Sequence, residues 1–179
     1  MRRQEVLRIP FALQDVASCF TAAANLLSAA TDDAKAIYEP IEAEEKDELS
    51  AVFGEGASGV TQARMKKMMS KETKDLEKRQ KSRRTRIIGD QVDRALVDLM
   101  GLYRDVLVVQ VDGTVPLINE EMRPQISQLA ARSTANDTGR RLRAIAYSRE
   151  QLQARVVPQL ALESLMVELK DPWIRLSTA

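Results

Sequence analysis

The stretch VDRALVDLMGLYRDVLVVQ, residues 92 to 110, constrains the fold more than any other part of the chain. Its residues Val92, Ala95, Leu96, Leu99, Tyr103, Val106, Leu107 and Gln110 recur every three or four positions. Side chains at that spacing share one face of an α-helix, whereas a half-buried strand would alternate. The segment DGTVP, residues 112 to 116, then stops the helix.

The same period returns along the chain. Leu162, Leu165, Met166 and Leu169 mark a helix with Pro158 near its start and Asp171-Pro172 beyond its end. Val16, Phe20, Ala23, Ala24 and Leu27 mark another. Asn119 is placed to cap EEMRPQISQLAARS, with Pro124 in or just after its first turn. Thr134 and Asp137 are placed to cap a helix carrying Leu142, Ile145 and Leu152. VLVVQV is the one strand-like run, and it continues the apolar face of a helix. The expected fold class is all-α, a helical bundle.

Composition narrows the chemistry. The 179 residues suffice for one domain with a real core. The chain has no histidine and a single cysteine, Cys19, set among apolar residues. A zinc site, a Ser-His-Asp triad and an intrachain disulfide are therefore excluded, and a buried thiol is expected. Lone cysteine usage fits a reducing cytoplasm. No apolar run is long enough to span a membrane, and MRRQEVLRIPF lacks the apolar region of a signal peptide. It opens directly in charged helical sequence, as expected of a segment of a longer protein. The net charge of +1 gives no bulk attraction to nucleic acid.

Charge is nevertheless unevenly distributed. Residues 32 to 48 carry Asp32, Asp33, Glu39, Glu42, Glu44, Glu45, Asp47 and Glu48 against Lys35 and Lys46. Residues 64 to 86 are as strongly basic. These predict an antiparallel helical hairpin, an acidic arm on a basic arm, inserted at about 32 to 86 and projecting from the bundle. Its apolar stripe is thin: Ile37, Ile41, Leu49 and Val52, then Met65, Met69 and Leu76. Pro40 is expected to kink or interrupt the acidic arm.

Between the arms lies FGEGASGVTQA, residues 53 to 63. Gly54, Gly56 and Gly59 spell the dinucleotide fingerprint, and Gly54 to Thr61 spell a P-loop without its lysine. The fingerprint needs a strand before the glycines, and here a charged helical pattern precedes them. Val60 stands where the P-loop lysine would meet phosphate. The expected structure is a helix stop at Gly54, a flexible turn, and a cap from Ser58 or Thr61. No cofactor, metal or catalytic residue is expected.

DLEKRQKSRRTR followed by DRALVDLMGLYRDVLVVQ resembles the carboxy-terminal part of the delta-prime subunit of the bacterial DNA polymerase III clamp loader. LINEEMRPQISQLAARS and VVPQLALESLMVEL resemble the later collar helices of the same family, and EVLRIPFALQDVASCFTAAANLL the join between its lid and collar. Pro158, Leu160, Ala161, Leu162, Glu163, Leu165 and Leu169 match the terminal-helix pattern, while Arg155 stands where that pattern carries asparagine.

The resemblance implies a collar domain over residues 11 to 175, preceded at residues 1 to 10 by the end of a lid. It implies gamma/tau and delta subunits as partners in a pentameric ring that loads the sliding clamp onto primed DNA in the bacterial cytoplasm. The chain is then a scaffold, not an enzyme. Leu160, Glu163, Val167 and Gln128 are the expected subunit-interface residues, and the isolated chain is expected to self-associate. The alternative is a nucleic-acid-binding adaptor whose basic arm meets DNA phosphates through Lys78, Arg79, Lys81, Arg83, Arg84 and Arg86. Against both stands a merely solvated charged face.

Overall fold

The computed structural model describes residues 3–54 and 62–170. They form α1 (Arg3–Ala12), α2 (Val16–Gly54), α3 (Gln62–Gln110), a 3-10 turn (Glu120–Met122), α4 (Arg123–Arg132), α5 (Ala135–Gln153) and α6 (Pro158–Lys170), with no strand among the described residues. The chain is an all-α helical bundle. It divides into two compact units: one takes the described residues up to Ala30 and those from Val92 onward, the other spans Thr31–Gln91.

The first unit has an apolar interior in two clusters. The larger joins Val6 of α1, Cys19, Ala23 and Leu26 of α2, Leu96 and Leu99 of α3, Ile145 of α5, and Leu162, Leu165 and Met166 of α6. The smaller joins Leu7, Leu102, Val106, Met122 and Ile126. Each fully buried Leu, Ile or Met contributes about 2 kcal/mol by leaving water. Adjacent Val6 and Leu7 face different clusters, so α1 is part of this bundle. Cys19 is buried as expected, and its thiol donates to the Met166 carbonyl at 3.4 Å. Burial pushes that thiol's pKa up.

The inner face of α2 departs from expectation. Val16 and Phe20 are 52% and 47% exposed. The buried line is Cys19, Ala23, Leu26 and Ala30. Bulk misleads here, because small side chains let α2 approach its neighbours closely and leave the larger residues outside.

Asn119 also differs from its expected role, since its side chain makes no cap bond. It is buried, donates to Asp105 at 2.8 Å and accepts from Arg3 at 2.8 Å. Asp105 is fully buried too. Burial alone would raise its pKa. The Ile118 and Asn119 amides, the Arg104 guanidinium and the Asn119 side chain outweigh that and hold it below the usual carboxylate value. This cluster pins the linker after α3 to the helix it leaves.

Other ends follow local chemistry. Thr134 and Asp137 form the expected capping box on α5. Pro124 lies in the first turn of α4. At the end of α5, Arg155 adopts φ 62°. The Arg155 amide reaches Leu152 O at 3.1 Å and the Val156 amide reaches Gln151 O at 3.0 Å, a Schellman closure. Asparagine tolerates this left-handed conformation better than arginine. The departure at Arg155 therefore falls where the side chain matters to the turn.

Candidate functional site

The second unit is an antiparallel hairpin of the α2 and α3 segments between Thr31 and Gln91. Its seam keeps only part of the expected apolar stripe: Leu76 is buried, and Leu49 and Met65 are half-buried. Ile37, Ile41, Val52 and Met69 are exposed. The buried positions are Ala34, Tyr38 and Glu42 on one arm and Leu76, Gln80 and Ile87 on the other. They recur at i, i+4 and i, i+7, the helical period, but mix apolar and polar side chains. A search for apolar residues alone passes over Tyr38, Glu42 and Gln80.

Charge closes this seam. Arg84 grips Glu42 in a two-point fork, Nε to Oε1 at 2.7 Å and Nη2 to Oε2 at 2.5 Å. Its guanidinium also lies over the Tyr38 ring, 5.3 Å from the centroid. Arg83 pairs with Glu45, and Gln80 donates to the same carboxylate at 3.1 Å. The hydrogen bond from Arg83, then that from Gln80, lowers the pKa of Glu45. Hydrogen bonds to Glu45 and Glu42 likewise raise those of Arg83 and Arg84.

The six expected phosphate-contacting residues therefore separate. Arg83 and Arg84 are committed to the seam. Lys78, Arg79, Lys81 and Arg86 are exposed. Pro40 does not interrupt the acidic arm, because α2 runs through it from Val16 to Gly54. Proline removes one backbone hydrogen bond and crowds the preceding turn. Tyr38 and Glu42, on either side of Pro40, are both anchored across the seam by Arg84, which holds the helix in register.

Ser58 and Thr61 lie outside the described residues, as do Asp171 and Pro172. The glycine-rich segment has helix α2 ahead of it and α3 behind, so it lacks the strand that a dinucleotide fingerprint requires. Among the described residues no group of His, Cys, Asp or Glu is placed to hold a metal ion. None of their helices is long and apolar enough to cross a membrane.

The expected interface residues belong to the first unit. Leu160 is 59% exposed at the start of α6, just after exposed Val156 and Val157. Glu163 is half-buried and accepts from Gln159 at 2.6 Å, one turn back. Gln128 is exposed on α4. Val167 differs: it packs partly buried against the larger apolar cluster. Ile126 of α4 and Leu162 of α6 belong to different apolar clusters.

Among protein-family models, curated proteins and solved structures, none matches this chain.

Proposed function

We propose that this chain is the oligomerisation (collar) module of a bacterial clamp-loader subunit of the delta-prime type. Its partners in that reading are gamma/tau and delta subunits, and its task is to hold the ring that loads the sliding clamp onto primed DNA. The chain would contribute assembly and no catalytic group of its own.

The observation that carries this reading is the division of faces on α6. This helix follows the collar-like pattern PQLALESLMVEL. It buries Ala161, Leu162, Leu165, Met166 and Leu169 in its own bundle. It leaves Leu160 outside, continuing the exposed pair Val156 and Val157. A helix that completes its own core and still presents apolar surface suits a module that packs beside copies of its own kind.

The test is a charge placed on that surface. Leu160→Asp should leave thermal unfolding within about half a kcal/mol of the parent. The same charge in a desolvated contact costs several kcal/mol, and affinity should fall by at least ~100-fold. Co-elution of the full-length subunit with gamma/tau and delta reads this out. Val157→Asp should behave alike, and Gln128→Asp extends the test to α4. Normal stability with intact co-elution for all three would sink the reading.

A further inference from the structure

We infer that the outer face of the basic arm is a docking surface for the phosphate backbone of a nucleic-acid duplex, built by Lys67, Lys71, Lys74, Lys78 and Lys81. The inference stands on the second unit alone and does not depend on the collar reading.

The five lysines follow one another at intervals of four, three, four and three residues. At 3.6 residues per turn they fall within about 80° of arc on one side of α3. The seam residues Leu76, Gln80 and Ile87 lie on the opposite side, so the strip faces directly away from the acidic arm. All five lysines are exposed, and none forms an ion pair with another described residue. The carboxylates of this stretch, Glu72, Asp75 and Glu77, fall at the borders of the strip or beyond. The arm thus sorts its cations: Arg83 and Arg84 neutralise the inner carboxylates, and the lysines collect outside.

The arrangement selects among polyanions. The strip is a straight row about 20 Å long at 1.5 Å per residue, which suits a stiff, uniformly charged partner. Lysine is a compact point charge that meets phosphate without reading base edges. No aromatic residue lies in the basic arm to stack on an unpaired base. A membrane-surface helix would need a continuous apolar face beside its cations. Among the described residues only Met68 and Met69 are exposed apolar side chains near the strip, and at Gln80, Arg83 and Arg84 the opposite face is taken by Tyr38, Glu42 and Glu45 of the other arm. On the acidic arm Glu39, Glu44, Asp47 and Glu48 are exposed. The hairpin therefore carries charge of opposite sign on its two arms, which would orient a duplex toward the lysines.

Binding of a fluorescent 30-base-pair DNA duplex to the whole chain, measured by anisotropy across a salt series, tests this. Five phosphate contacts give a slope of log K against log salt of about −4.5. Affinity then falls about 500-fold between 50 and 200 mM salt. The triple variant Lys71→Gln, Lys74→Gln, Lys78→Gln should flatten the slope to about −2 and lose at least ~10-fold in affinity at 50 mM salt. Removing three exposed cations from the first unit, Arg8→Gln, Arg94→Gln and Arg132→Gln, should leave the slope unchanged. Helical circular dichroism should match the parent for both. Absence of duplex binding at 50 mM salt would overturn the inference, as would equal loss in the two triple variants. So would binding to phosphatidylserine vesicles with none to the duplex.

Discussion

At Leu99 in the first unit the interior is apolar: Leu96, Ile145, Leu162 and Leu165 belong to the same buried cluster. At Glu42 in the second unit the interior is a carboxylate forked by Arg84, whose guanidinium lies over the Tyr38 ring. The two long helices α2 and α3 each contribute a segment to both units, the first unit adding α1, α4, α5 and α6. What changes at Ala30 and Val92 is the kind of residue at the helical period. Apolar burial is non-directional and is not screened by salt, so the first unit tolerates change outside its core. Ion pairs fix register geometrically, and salt weakens them where water reaches them. A unit closed by charge can be long and thin, because it needs no layered core.

The largest expected effect sets the two interiors against each other directly. Leu99 is fully buried, and Leu99→Ala should cost about 4 kcal/mol through lost transfer energy and the cavity left behind. Ile87, in the small cluster with Ala34 and Tyr38, has few neighbours to leave stranded. Ile87→Ala should cost only about 1–2 kcal/mol, since a thin seam can collapse around the gap. Thermal unfolding followed by circular dichroism compares them. Equal costs would mean that the hairpin has a core as tight as the bundle, and the contrast would fail.

A smaller effect comes from the one place where the first unit behaves like the second. Asp105 is a buried charge among apolar neighbours on α3, held by the Ile118 and Asn119 amides, the Asn119 side chain and Arg104. Asp105→Ala strands those donors and should cost about 3 kcal/mol. The sign with pH follows from the depressed carboxyl. Its contribution is fully present above the ordinary aspartate range and is lost as pH falls through that range toward the lower folded value. Parent and Asp105→Asn stability should therefore converge on acidification. A difference that stays constant from pH 7 to pH 3 would show that the carboxylate charge plays no part.

The same contrast explains what could be read from residue order. The helix over Val92 to Gln110, the capping box at Thr134 and the α6 core face follow from periodicity and end chemistry, both local. The inner face of α2 follows only in part: Ala23 and the Cys19 thiol are buried as expected, while Val16 and Phe20 stay exposed, because which neighbour a helix packs against is a tertiary effect. The seam of the hairpin was hidden for a different reason. Opposite net charges on two arms indicate that they meet, but the partner of each arginine depends on register. Arg83 with Glu45 and Arg84 with Glu42 are separated by 38 and 42 positions. Val167, expected at an interface, is half-buried against the larger cluster although it stands off the tightest line of its helix.

The smallest effect sharpens the comparison without changing any apolar contact. Raising salt screens Arg83–Glu45, partly exposed on both sides, and less strongly Arg84–Glu42, where water reaches the arginine but not the carboxylate, and leaves the apolar interior of the first unit intact. Backbone amides in residues 64 to 85 should exchange faster with solvent than those in residues 92 to 110 already at low salt, because fewer apolar contacts resist local opening there. Between 50 mM and 1 M sodium chloride the rates in 64 to 85 should rise severalfold, roughly as expected for loss of partly exposed pairs. Rates in 92 to 110 should hold steady. Glu42→Gln keeps the shape of the side chain and removes its charge, so it should speed exchange at low salt and reduce the further response to salt. If the variant keeps the full salt response, the pairs seen across the seam are not what holds it. Slow, salt-independent exchange in both segments would place the hairpin in the same class as the bundle. The mixed period of Ala34, Tyr38 and Glu42 would then act through shape and not through charge.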